Sequence, residues 1–209
     1  MSLEGEKLAA RFSCNCWTAR VKKFQELLRE FARNGANREK SIVVLQKLVS
    51  FAWYQIIARQ NNVDDLFDAK IVMAYWMGDE NLVKPIGSEK NIILPFHNFT
   101  VLEDVHRYSD TITIDDVDRC KVSVGRVNDV GENQIKIDHQ ALIRQGGEFS
   151  LAQDTEIISV EMGFVKSVKM GDWVVYHEGI AIDILPEKEA LTLVRRTKEA
   201  IELFNLQQK

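Results

Sequence analysis

The sequence predicts an α+β fold, in which an N-terminal α-helical domain precedes a small OB-like β-barrel with a C-terminal helix. Up to about Gly78, apolar residues recur at three- and four-residue spacing, and beyond that point they recur at every second residue. Glycine, proline and serine collect between the two patterns. These observations predict a boundary between Gly78 and Asn91, with the helical domain over residues 1–90 and the barrel domain over residues 91–209.

The pattern before the boundary is helical from Glu6 onward, and three helices within it have clear apolar faces. The first carries one apolar stripe over residues 21–31 and stops at Asn34-Gly35. The second covers residues 42–56, with an apolar face wide enough for the centre of a bundle, and Asn61-Asn62 closes it. The third covers residues 65–77 and has its apolar residues on one side.

Short β-type segments follow the boundary. Alternating or β-branched runs begin at Thr111, Cys120, Gln134, Ile157 and Trp173. Several short strands with glycine-containing turns between them predict a small barrel. A final helix is predicted to open at Pro186, because acidic residues occupy its first turn and apolar residues continue behind them.

The composition excludes several classes of protein. Hydrophobic residues make up 45% of the 209 residues, which is enough for a globular core. No apolar run reaches the roughly 20 residues of a membrane span, and the N-terminus lacks the apolar stretch of a signal peptide, so we expect a cytoplasmic protein without membrane contact. Three cysteines in such a chain predict reduced thiols. A formal net charge of −4 disfavours nucleic acid as a partner.

Three segments of the C-terminal half form an ordered pattern. The first is Cys120 followed, after four residues, by Gly125, and the second is residues 133–138. The third and longest is Gly171-Asp172-Trp173-Val174-Val175-Tyr176-His177-Glu178-Gly179-Ile180-Ala181-Ile182. Over residues 120–204 the chain resembles the HypC/HupF family of small chaperones, which help to assemble the iron centre of nickel-iron hydrogenases. The whole chain also resembles a group of uncharacterised two-domain proteins.

The resemblance implies an accessory or chaperone-like role in hydrogenase maturation. It implies protein partners, such as the hydrogenase large subunit or other maturation proteins, and transient binding of iron. Cys120 and His177 match the family residues that serve one site, so both are predicted metal ligands. In the family the cysteine becomes the mature N-terminus, whereas Arg119 precedes Cys120 here, so the amine of Cys120 lies in a peptide bond. We therefore expect weaker metal binding than in the family.

The residues themselves leave other interpretations open. Strand alternation would place Cys120 beside Val122 on a buried face, where a cysteine serves as a small hydrophobe. Alternatively, Cys120 is the nucleophile and His177 the base of a thiol hydrolase or transferase. A ligand-binding OB-like module is a third possibility. The sequence contains no phosphate loop, zinc-protease helix, CxxC pair or nucleophile elbow, which favours a protein without catalytic activity.

The remaining cysteines and histidines are interpreted as structural. Cys14 and Cys16 are predicted on one helix, about 200° apart around its axis, which does not suit a shared metal ion. His97 and His106 flank a strand-like stretch and have no second ligand at a recognised spacing. His139 is expected at an exposed strand end.

Overall fold

The computed structural model describes residues 2–14, 16, 21–88, 91–107, 112–161 and 163–209, the side chains of residues 105–107 excepted. The chain forms two compact units: a helical unit of Met1–Ile86 with Pro95–His97, and a barrel unit of Gly87–Leu94 with Asn98–Lys209. A small hairpin of β1 (Ile86–Ser88) and β2 (Asn91–Ile93) lies where the sequence changes its period. The predicted α+β class is confirmed, with helices first, then a closed five-stranded barrel and a C-terminal helix.

The helical unit contains five helices in its described part. They are α1 (Leu3–Ser13), α2 (Lys22–Asn34), α3 (Arg38–Leu45), α4 (Val49–Gln60) and α5 (Ala69–Met77). Helix α2 ends as predicted, because Gly35 takes the left-handed conformation with φ of 78°.

The prediction of one continuous helix over residues 42–56 is wrong, since α3 and α4 meet at an angle of 83°. Between them, Lys47 N–H donates to Val44 O at 2.9 Å and Leu48 N–H donates to Leu45 O at 3.1 Å. These bonds to the third preceding residue replace the helical pattern and end α3. No single helix in the described part is long and apolar enough to cross a bilayer, and α3 and α4 meet that test only together, as a bent pair.

Aromatic side chains form the core of the helical unit. Phe12 stacks on Trp76 with ring centroids 4.8 Å apart. Trp76 Nε1–H donates to the Tyr54 hydroxyl at 2.6 Å, so the buried indole is satisfied. The fully buried carboxylate of Glu6 accepts two hydrogen bonds from Arg38, at 2.6 and 2.8 Å. The buried indole of Trp76 and the buried carboxylate of Glu6 thus each have a polar partner.

Five strand pairings, four antiparallel and one parallel, form the barrel. Its strands are β3 (Ser123–Val130), β4 (Gln134–Gln145), β5 (Glu148–Ser159), β6 (Trp173–His177) and β7 (Ile180–Leu185). The closed order is β3-β4-β5-β7-β6, in which β3 pairs with β6 and β5 meets β7 in parallel at Ser159 and Ile180. This is the OB-like barrel that the sequence predicts.

Three helices complete the barrel unit: α6 (His97–Arg107), whose first residue belongs to the helical unit, α7 (Ile114–Cys120) and α8 (Glu187–Gln207). Thr111 lies outside the described residues, but the strand predicted from it is wrong at Ile114, which begins α7. The strand predicted from Cys120 begins only at Ser123, because Cys120 ends α7. Thr113 and Asp116 form a capping box, which starts a helix despite the β-branched residues nearby. Helix α8 starts after Pro186, as predicted, and packs on β3, β5 and β6.

Candidate functional site

The two predicted metal ligands come together where α7 and β6 end. Cys120 is the last residue of α7, and His177 is the last residue of β6. Glu178 N–H donates to Arg119 O at 2.9 Å, which anchors the end of β6 beside the end of α7. Cys120 Sγ and a ring nitrogen of His177 lie within 4.8 Å of each other, although 57 positions separate the residues. We call these two residues the Cys–His pair.

The segment after Cys120 is held from outside the barrel by a single side chain. Asn98 of α6 donates from Nδ2 to Val122 O and accepts from Val122 N–H, both at 2.8 Å. The same amide group bonds Thr197 of α8 at 2.9 Å. The amide thus satisfies the backbone of Val122 as a neighbouring strand would, and it fixes the chain between α7 and β3.

Both members of the Cys–His pair are 1% exposed. The expectation that Cys120 lies on a strand face is wrong, because the residue ends a helix, but its surroundings are apolar, with Val117 and Val122 also buried. A thiol in this setting can fill space, and a thiolate can bind a soft metal ion. An imidazole is a second suitable ligand.

A strained turn follows His177 directly. Glu178 and Gly179 have φ of 52° and 71°, so the β6–β7 hairpin closes through two residues in the left-handed region. Glycine adopts this conformation without penalty, whereas a residue such as glutamate loses roughly 1 kcal/mol or more. Backbone strain of this kind collects at functional sites, and here it adjoins the candidate ligand.

A set of polar side chains that was not predicted from the sequence surrounds Lys121. The Lys121 ammonium is buried, lies 3.1 Å from Asp118 Oδ1, and donates to Ser123 Oγ and to Gln140 O. Burial lowers the pKa of Lys121, and the carboxylate of Asp118 opposes that shift. Asp118 also accepts the backbone N–H of Leu142 at 2.5 Å, which ties α7 to β4.

This set of polar side chains extends to His139 on the inner face of β4 and to Tyr176 on the inner face of β6. A hydrogen bond of 2.6 Å joins the Tyr176 hydroxyl to His139 Nδ1, and His139 Nε2 lies 3.9 Å from Glu156 Oε2. The prediction of an exposed His139 is wrong, because the residue is 4% exposed. Ile135, Ile137 and His139 occupy every second position of β4 and so share one face, and the two isoleucines indicate that this face points inward.

We call Asp118, Lys121, Ser123, His139, Glu156 and Tyr176 the polar network. Burial lowers the pKa of His139, and the charge of Lys121 lowers it further. Burial raises the pKa of Glu156, with the charge of Asp118 adding to the effect. Burial also raises the pKa of the Tyr176 hydroxyl. The network therefore favours neutral imidazole and phenol groups inside the barrel, where protonation changes act on stability.

The other cysteines and His97 are buried. Cys14 caps the end of α1 and Cys16 follows it, so the predicted helix does not include Cys16, and both are buried. His97 begins α6, not a strand, and its Nδ1 shares a hydrogen bond of 3.2 Å with the Tyr75 hydroxyl. The side chain of His106 lies outside the described residues.

A family model matches residues 91–209, and its description reads "Family of unknown function (DUF6390)". The chain belongs to this family. No curated protein and no solved structure matches the chain. The prediction of an uncharacterised family is thus confirmed, whereas the resemblance to HypC/HupF receives no support from these matches. The region shared with DUF6390 contains the Cys–His pair and the polar network, and the helical unit before residue 91 lies outside it.

Proposed function

We propose that this DUF6390 protein is a cytoplasmic accessory protein of nickel-iron hydrogenase maturation, which acts through contacts with partner proteins and binds iron transiently through the Cys–His pair. The observation that carries the proposal is the approach of Cys120 Sγ and His177 to within 4.8 Å. The residues belong to separate segments of the HypC/HupF-like pattern, and the OB-like barrel with its closing helix is the fold that the resemblance implies.

The chemistry of the pair suits a carrier better than an enzyme. A thiolate and an imidazole are ligands for iron, and few protein ligands allow the ion to be handed on. A thiol nucleophile must be exposed to its substrate, whereas Cys120 is 1% exposed. An ion reaches the pair only when the chain opens locally, and the strained turn at Glu178 lies directly beside His177.

The metal part of the proposal is tested by titrating the anaerobic, full-length protein with ferrous iron. We expect the wild type to bind one ion, Cys120→Ala to lose that binding, and His177→Ala to weaken it. Cys14→Ala is the matched control, because it removes a buried cysteine from the helical unit and should leave binding unchanged. Equal binding by the wild type and Cys120→Ala would show that Cys120 serves only for packing.

The partner part is tested separately, by mixing the purified protein with the unprocessed large subunit of a nickel-iron hydrogenase and measuring complex formation by size-exclusion chromatography with light scattering. We expect a complex at micromolar concentration. No complex at tens of micromolar would remove hydrogenase maturation from the proposal, while a positive iron titration would still leave a metal-binding protein.

A further inference from the structure

A groove with an apolar floor runs between α2 and α3 in the helical unit. Its volume is about 600 Å³, within the range of about 300 to 1,000 Å³ that is usual for ligand sites. Phe24, Leu27 and Val43 contribute its floor, and Phe24 and Val43 are 36% and 51% exposed. Exposed apolar residues that line a cavity together are typical of interaction surfaces.

Helix α2 carries more apolar surface than its own unit covers. Leu28, Phe31 and Ala32 are its buried residues. Phe24 and Leu27 continue the apolar arc to the side that faces the groove, at the three-residue spacing of one helical surface. The apolar residues between positions 21 and 31 thus form two surfaces of α2, one packed inside the unit and one that lines the open groove.

The charges along the groove differ between its two ends. A short connection joins α2 to α3, and Asn37 Nδ2 donates to Glu30 Oε2 at 3.0 Å, which marks the closed end. Glu30 and Lys40 of α3 line this end, and Glu26 lies between the two ends, one helical turn from Lys23. Lys23 at the start of α2 and Lys47 just beyond α3 line the opposite end, which is basic.

We propose that the groove binds an amphipathic helix of a partner protein, with the acidic C-terminal end of that helix at Lys23 and Lys47. Apolar side chains spaced by three, four and seven residues would fill the floor, as in other helix-in-groove complexes. The negative end of the helix dipole would then lie beside the two lysines, and its positive end beside Glu30. The residues of α2 that line the groove run from Lys23 to Glu30, so the groove matches a partner helix of about two turns.

Other occupants fit this groove less well. A second copy would present the same concave surface, and two facing grooves leave both floors unfilled. An anionic membrane would meet Lys23 and Lys47 favourably but would be repelled by Glu26 and Glu30. A helix with an acidic C-terminal end meets both lysines at the basic end and still fills the apolar floor.

This inference names the kind of contact that the proposed accessory role would use, but it depends on the helical unit and not on the Cys–His pair. The two proposals can fail separately. Peptide binding is therefore measured with the full-length protein in a metal chelator, with Cys120→Ala as a variant that should bind peptide normally.

The probe is a displayed library of amphipathic helical peptides, selected on the wild type and counter-selected on Val43→Asp. Val43 is exposed, so the substitution places a charge on the floor without disturbing the core. We expect enriched peptides with apolar residues at helical spacing and with Asp or Glu in the C-terminal half. In fluorescence anisotropy, Val43→Asp should weaken an enriched peptide by about tenfold or more.

Charge reversal tests the orientation. Lys23→Glu with Lys47→Glu should weaken the selected peptide, and a peptide with its acidic residues changed to lysine should recover binding to that variant. Lys198→Glu, an exposed reversal on α8, is the matched control and should have no effect. The proposal is overturned if no enriched peptide depends on Val43. It is also overturned if Lys23 and Lys47 govern binding only to phosphatidylglycerol vesicles, or if Val43→Asp abolishes self-association instead.

Discussion

The helical unit and the barrel unit bury polar groups in different ways. In the helical unit polar groups bond in small sets, as in the bond from Trp76 to Tyr54 and the ion pair of Glu6 with Arg38. In the barrel unit the polar network links groups from α7, β3, β4, β5 and β6. Small sets confine the effect of a mutation to one place, whereas a network couples several titrations inside the barrel. Stability of the barrel unit should therefore respond to pH through the network.

The two units also differ in the residues that adopt the left-handed conformation. In the helical unit these are Asn37 and Asn62, and asparagine tolerates that region well. In the barrel unit Ser167 and Glu178 have φ of 52° each, and neither side chain favours it. Backbone strain is thus placed in the unit that carries the Cys–His pair, one residue from His177.

The largest expected effect is a loss of stability at Gly5 that exceeds the loss at Gly125, two glycines that allow close packing. A Cβ on Gly5 would lie 1.8 Å from the backbone oxygen of Phe67, which cannot move aside. A Cβ on Gly125 would meet side-chain atoms of Ile137 at 2.6 Å, and these can shift in part. We expect Gly5→Ala to lower the free energy of unfolding by about 3 kcal/mol or more, and Gly125→Ala by about 1–3 kcal/mol.

Denaturant unfolding of the two variants, with the exposed Glu4→Ala as a control on α1, measures this difference. Equal losses would mean that the two units tolerate overpacking to the same degree. In that case the tightness of packing would not be one of the differences between the two units.

A somewhat smaller effect is expected in the network. Asp118→Asn removes the charge that faces the buried Lys121 ammonium, which should lower the free energy of unfolding by about 2 kcal/mol or more. Adding Lys121→Met removes the uncompensated charge, so the double variant should regain part of that loss. Chemical denaturation of the single and double variants tests this, and a double variant less stable than Asp118→Asn would contradict it.

The network should also make stability depend on pH, with opposite signs at two residues. The pKa of His139 is lowered on folding by burial, so the unfolded chain binds more protons and the protein loses stability as pH falls below about 6.5. The pKa of Glu156 is raised by burial, so the folded chain binds more protons and stability is lost as pH rises above about 4.5.

We therefore expect His139→Gln to reduce the fall in Tm between pH 7.5 and pH 5.5. Glu156→Gln should stabilise the protein relative to the wild type more at pH 7 than at pH 4.5. Thermal melts over this range provide the measurement. Parallel Tm curves for the wild type and both variants would show that the network does not couple protonation to folding.

The smallest expected effect concerns the left-handed positions. Glu178→Asn should raise the free energy of unfolding by about 0.5–1 kcal/mol, because asparagine accepts this conformation more readily. Asn62→Glu, the reverse exchange in the helical unit, should lower it by a similar amount, since Asn62 is exposed and has φ of 54°. A destabilising Glu178→Asn would show that the glutamate side chain contributes more than its backbone strain costs.

Several elements were predictable because their signals are local. The end of α2 at Gly35 and the start of α8 after Pro186 follow from residues that stop and start helices. The strands at Gln134 and Trp173 follow from a period of two. Two errors, the strand predicted at Thr111 and the exposed position predicted for His139, could have been avoided from local signals. The capping box at Thr113 indicates α7, and the two-residue spacing of His139 from Ile137 indicates an inward histidine.

The sequence by itself determined the α+β class and the order of helices before strands, because periodicity and turn residues are properties of neighbouring positions. Cys120 and His177 were chosen from the resemblance to HypC/HupF. Tertiary structure alone decided that Cys120 and His177 meet, since this depends on the pairing of β3 with β6 and on the bond from Glu178 to Arg119. It also decided the polar network and the groove between α2 and α3. Strand register and helix packing bring these residues together across long sequence separations, for which a single sequence carries no local signal.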